Sequence, residues 1–191
     1  GYSKELYNYH RKPDTTNMET AITTYTPRTD FILDLLPELI AEGRKILIIC
    51  SRSLHIGDIL EQIVKRNIAT VGPYVGGMTT EQREEAKTKQ IIVAIDDLTT
   101  EAFDCPALDT LVMAVPIGNI TQVAGRIMRT EKHKRVRLPL IIDVADEFSC
   151  YINRTSTRME YYKNPAQNYM IEEYSVLQPL KGTEKPTISL M

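Results

Sequence analysis

The sequence predicts an α/β domain built on a mainly parallel β-sheet flanked by helices. Two observations carry that prediction. Four short apolar runs, at residues 45–50 (KILIIC), 90–95 (QIIVAI), 110–115 (TLVMAV) and 138–144 (LPLIIDV), show no alternation with polar residues. Strands covered on both faces have this character. Between the runs, apolar residues recur at three- and four-residue spacing, the period of an amphipathic helix. Strand and helix in alternation make a parallel sheet with right-handed crossovers, whose ligands gather at the carboxyl ends of the strands.

Taken in order, residues 1–27 are polar and turn-rich and read as a connecting segment. A domain over 28–164 follows, and then a Pro- and Tyr-bearing tail, 165–191, of unassigned role. The first helix is expected over 29–42, stopped by Gly43, the residue type that closes helices in a left-handed conformation. Pro37 should kink or split it, because the ring clashes with the preceding turn. After the first strand, Ser53 is the expected N-cap of a helix carrying Ile56, Ile59, Leu60, Ile63 and Val64, with Asn67 near its end. Thr79 and Gln82 have the spacing of a capping box, which opens a short charged helix to about Lys87.

Residues 119–129 (NITQVAGRIMR) form the segment richest in chemistry. As a helix, Ile120, Val123, Ala124, Ile127 and Met128 make a core-facing stripe. Gln122, Arg126 and Arg129 then project within roughly 60° of one another on the other side. Gly125 beside them leaves room for close approach. Two convergent guanidiniums suit a polyanion, since each planar fork holds phosphate oxygens in pairs. Asn119 and Gln122 also have capping-box spacing, so helix initiation is a second role open to Gln122.

Composition sets bounds. The 191 residues are 42% hydrophobic and 25% charged, with a net charge of −2. That is ordinary for one globular domain and excludes nucleic-acid binding by bulk positive charge. Local charge is different: Arg126, Arg129, Lys132, Lys134, Arg135 and Arg137 occur with the single acid Glu131, a run open to two readings, a solvated loop or an extension of the anion-binding surface. Cys50, Cys105 and Cys150 are far apart and odd in number, as expected of core thiols in a reducing compartment. With His10, His55 and His133 scattered, no metal site is expected. No stretch reaches membrane-span length and no signal-peptide pattern opens the chain, so a cytoplasmic location is expected.

The pattern Gln122-x-x-Gly125-Arg126-x-x-Arg129 resembles a motif of superfamily 2 helicases and translocases. Three further stretches resemble motifs of that family in its order. Residues 46–52 (ILIICSR), with His55, look like the strand and loop that open its second RecA-like domain. Residues 74–79 (YVGGMT) resemble its Gly-containing turn, and residues 94–112 its segment contacting ATP ribose and nucleic-acid phosphates. The resemblance covers about residues 28–145 and is nearest to helicases of large cytoplasmic DNA viruses, of poxvirus and African swine fever virus type.

The resemblance implies a RecA-like fold and ATP, with Mg²⁺, as the ligand. Arg129 matches the arginine finger, Arg126 a second phosphate-contacting arginine, and Gln122 a residue that positions the attacking water or γ-phosphate. Asp104 matches an acceptor for the ribose, with Glu101 in the same nucleotide-contacting set. Ser51, Arg52, Gly76, Gly77 and Thr99 match contacts to an RNA or DNA backbone. Ile95 departs from the usual Thr or Ser and cannot donate to a phosphate, leaving Thr99 or Thr100 to compensate. Ala102 stands where many members have Gly.

No phosphate-binding loop and no Asp-Glu box occur in these residues. Both belong to the first RecA-like domain, which would hold most of the nucleotide and its Mg²⁺. The expected function is therefore the C-terminal half of an ATP-dependent helicase or translocase, inactive by itself. A non-catalytic RecA-like module binding nucleic acid or protein is the alternative.

Overall fold

Five strands, β1 (Ile46–Cys50), β2 (Val71–Tyr74), β3 (Ile91–Ile95), β4 (Thr110–Met113) and β5 (Leu140–Asp143), form one sheet in the order β2-β3-β1-β4-β5. Every pairing among them is parallel. The structure, a computed structural model, describes residues 5–95, 103–118, 120–128, 132–146 and 148–174. Six helices accompany the strands among these residues: α1 (Thr15–Thr23), α2 (Thr26–Ala41), α3 (Ser53–Lys65), α4 (Thr80–Thr88), α5 (Ile120–Ile127) and α6 (Ser149–Lys163).

Alternate residues of the central strands face opposite layers. Ile46, Ile48, Cys50, Ile91, Val93 and Val112 pack against α2 and α3, through Ile32, Leu33, Leu36, Ile56, Ile59 and Ile63. Leu47, Ile49, Ala94, Leu111 and Met113 face the other way, onto Val123, Ala124 and Ile127 of α5 and Tyr162 of α6. This double cover explains the unbroken apolar runs. Each fully buried Ile or Leu contributes about 1.5–3 kcal/mol, so the sheet and its two helical layers carry the fold. The predicted α/β architecture is the one observed, and its sheet is wholly parallel.

Local chemistry sets the element ends. Gly43 (φ +75°) and Asn67 (φ +51°) take left-handed conformations after α2 and α3. Each closes a Schellman motif, with Arg44 N–H donating to Leu39 and Ile68 N–H to Ile63. Thr79 and Gln82 make the predicted capping box of α4, with backbone-to-side-chain bonds in both directions.

Several expectations need correction. Ser53 is the first residue of α3, and Arg52 is its N-cap without a side-chain cap bond. Pro37 lies within one continuous helix. Its ring is exposed while Leu33, Leu36 and Leu39 around it are buried, so core packing on the other side keeps the helix from splitting and water can serve the freed carbonyl. Strand β2 was hidden by Gly72 and Pro73, and it lies at a margin of the sheet, where proline is tolerated. The segment read as a connector contains α1, whose Met18 and Ile22 are fully buried against Phe148 and Tyr151. Helix α6 escaped prediction because its sequence is mostly polar.

Candidate functional site

The carboxyl ends of the strands form one edge of the sheet. In spatial order it presents Gly76 after β2, Ser51 and Arg52 after β1, the 114–118 loop after β4, and Asp143 to Asp146 at the end of β5. Helix α5 starts directly from that loop. Its stripe of Ile120, Val123, Ala124 and Ile127 is buried as expected, while Gln122 and Gly125 are exposed and Arg126 is half-buried.

The Arg126 guanidinium donates through Nη1 to the Phe103 carbonyl at 2.9 Å. That bond draws α5 against the segment after β3, where exposed Asp104 is the next residue. Phe103 is itself fixed edge-on against Tyr74 of β2, with ring centroids 4.5 Å apart. Gln122 and Arg126 thus stand on one side of α5, next to the chain segment that carries Asp104. Arg129, Glu101 and Thr99, together with Thr100, Ala102 and the cap candidate Asn119, lie outside the described residues.

The residues matched to nucleic-acid contacts gather at the same edge, on the β1 and β2 side. Ser51 Oγ is buried and has no hydrogen-bond partner among the described residues. Arg52 is committed elsewhere: Nη2 donates to the Thr16 carbonyl at 3.0 Å, and Nε stands 3.4 Å from Glu19 of α1. Gly77 has φ +80°, and neither Gly76 nor Gly77 has an atom within 4 Å of where a Cβ would lie. Beside them runs a groove of about 480 Å³ between α3 and β2, lined by Ser53, Ile56, Gly57, Leu60, Val75 and Gly76 among others. A backbone can approach these glycines closely.

Beneath this edge, buried polar groups are concentrated. Arg28 of α2 meets Asp146 through two 2.8 Å hydrogen bonds and donates through Nη1 to the Ala114 carbonyl at 2.6 Å. Arg158 of α6 meets Asp143 in the same two-pronged way, at 2.7 and 2.8 Å, and donates to the Ile117 carbonyl at 2.8 Å. Arg154 donates to the Pro116 carbonyl at 3.0 Å. His55, in the first turn of α3, is buried with neither ring nitrogen paired among the described residues. Burial, and then the neighbouring Arg28 charge, push its pKa down from the ordinary 6.5 to about 4. Burial pushes the Cys50 thiol up to about 12.

Sequence reasoning missed these arginines. One signal was present: Tyr151, Arg154, Arg158 and Tyr162 follow three- and four-residue spacing, a helical stripe of long side chains with apolar stems. The basic run also proves partly internal. Arg135 donates to the Met128 carbonyl at 2.8 Å and Arg137 to that of Gly43 at 3.3 Å. No group of His, Cys, Asp and Glu among the described residues could hold a metal ion, and no described helix is long and apolar enough to cross a membrane.

The chain is 30% identical over 174 residues to "Putative ATP-dependent RNA helicase L396" of Acanthamoeba polyphaga mimivirus, a match covering 89% of this chain and 33% of that protein. The chain resembles the C-terminal RecA-like domain of superfamily 2 helicases. Solved structures give this domain the same fold. UvsW of T4 superposes with a TM-score of 0.63 at 20% identity, covering 78% of this chain and 34% of that one. The yeast DEAD-box splicing factor Prp28 gives 0.56 at 18%, covering 76% and 33%. S. cerevisiae Dbp5, bound to RNA and ADP BeF3, gives 0.53 at 15%, covering 71% and 36%. No family model matches the chain. The chain spans about a third of the length of the viral protein it matches.

Proposed function

We propose that this RecA-like domain is the C-terminal half of an ATP-dependent nucleic-acid helicase or translocase. The observation that supports it best is the polar flank of α5, where exposed Gln122 and half-buried Arg126 project away from a buried stripe, Arg126 tied to the Phe103 carbonyl next to Asp104. Its viral relative carries the name of an ATP-dependent RNA helicase.

In this reading, ATP is held mainly by a first RecA-like domain of the same polypeptide, which also binds the Mg²⁺. Closing the two domains presents Arg126 and Arg129 to the triphosphate. As the bond to the γ-phosphoryl group breaks, charge gathers on its equatorial oxygens, and a guanidinium there is worth about 10³–10⁵ in rate. Gln122 orients the attacking water or the γ-phosphate, and Asp104 and Glu101 receive the ribose. Ser51, Gly76, Gly77 and Thr99 meet the backbone of RNA or DNA, with marked salt dependence. Arg52 joins them by exchanging its bonds to α1.

The decisive experiment is Arg129→Ala in the complete two-domain protein. Hydrolysis should fall by about 10³ or more while nucleic-acid binding survives; unchanged turnover removes Arg129 from the arginine-finger role, and absence of turnover in the unsubstituted protein overturns the motor reading. The commitment of Arg52 to α1, together with Ile95, favours the second reading, a non-catalytic binding module. That reading requires that the complete protein hydrolyse no ATP.

A further inference from the structure

The loop from β4 into α5 is buried, with Ala114, Val115, Pro116 and Ile117 all shielded from solvent. Backbone carbonyls in a buried loop need partners; that of Val115 accepts from the Ile117 N–H at 2.9 Å, and the other three are served by side chains. Three guanidiniums fill the need: Arg28 for Ala114, Arg154 for Pro116 and Arg158 for Ile117. The three come from elements on opposite faces of the sheet.

Two of these guanidiniums are fixed from behind. Asp146 and Asp143 each accept two bonds from their arginine, and Asp143 Oδ2 also accepts from Tyr162 Oη at 3.1 Å. Arg158 has a further bond, from Nη2 to Thr155 Oγ1 at 3.1 Å. A fork held on both sides cannot swing, which a lysine ammonium on a flexible stem could. Buried ion pairs of this kind are weak sources of stability, because desolvation offsets most of their attraction. What they supply here is geometry.

We propose that Arg28, Arg154 and Arg158 are positioning residues, which clamp the Ala114, Pro116 and Ile117 carbonyls and thereby set the pose of α5 and of the Gln122 and Arg126 side chains it carries. The inference rests on the motor reading for its consequence, but the clamp itself can be tested apart from it. Misplacement of a phosphate-facing group by about 1 Å costs up to about a hundredfold in rate. The clamp keeps such drift small.

Arg154→Met is the informative variant, since it frees one carbonyl without leaving a buried carboxylate unpaired. In this chain, hydrogen exchange of the 117–127 amides should accelerate while β1 and β3 stay protected. In the complete protein, kcat for ATP should fall about tenfold or more while KM and nucleic-acid affinity stay within about twofold. Arg154→Lys, which keeps a donor for Pro116, should restore part of the rate. Unchanged exchange over 117–127 overturns the clamp, and so does faster exchange with an unaltered kcat. If the unsubstituted protein fails to turn over ATP, the motor reading falls and the exchange measurement alone decides the clamp.

Discussion

Arg28 and Asp146 lie 118 positions apart in sequence and meet fork to fork, Nε to Oδ1 and Nη2 to Oδ2, with side chains 3% and 0% exposed. Removing one partner leaves the other charge buried without its counterion. Asp146→Ala should therefore destabilise the domain by about 3–5 kcal/mol. The double variant Arg28→Met, Asp146→Leu should recover most of that, retaining a penalty of about 1–3 kcal/mol for the unpaired Ala114 carbonyl. Urea denaturation of the three proteins checks both values; equal loss in the single and double variants would contradict the account.

His55 gives the domain an acid-side weakness. Its folded pKa lies near 4 against an ordinary 6.5, so the unfolded chain binds the proton more readily. Stability is complete above pH 6.5 and is lost progressively as pH falls toward 4. Near pH 5 the loss from this residue is about 2 kcal/mol. His55→Leu should flatten the stability profile between pH 7 and 5, as followed by denaturant midpoints.

Gly76 and Gly77 should respond differently to alanine. Gly77 has φ +80°, and Gly77→Ala should cost about 1–2 kcal/mol from the left-handed conformation alone. Gly76 has open space around its Cβ position and no such strain. Gly76→Ala should leave the melting temperature unchanged yet weaken binding to single-stranded RNA or DNA. Thermal melts paired with fluorescence anisotropy separate the two effects, and undiminished affinity would remove Gly76 from the interface.

The three thiols should react in order of access. Cys150 is half-exposed whereas Cys50 and Cys105 are buried, and desolvation is the main cause that raises the pKa of all three thiols. Iodoacetamide at neutral pH should label Cys150 first, and Cys50 only on unfolding. Peptide mass spectrometry over a labelling time course reads the order directly.

The central sheet was legible because both its faces are covered, which leaves strands such as 46–50 and 91–95 almost purely aliphatic. The α5 flank was legible for the opposite reason: a buried stripe and a polar face on one short helix have a period that counting reveals. The margin strand β2 was not, since a four-residue element containing Gly72 and Pro73 has no apolar signature. Nor was the arginine clamp. Its members sit on α2 and α6 at opposite ends of the chain, and their role depends on carbonyls that only the folded loop leaves without partners. Arg52 shows the same limit, because the α1 atoms that engage it lie 36 positions away.

Pro73 has a consequence for how this protein meets its neighbours. On the outer rim of β2 it has no amide hydrogen to offer, so an approaching extended peptide finds a missing rung where a ladder would have to form. At this margin, pairing with the sheet of a second copy is disfavoured.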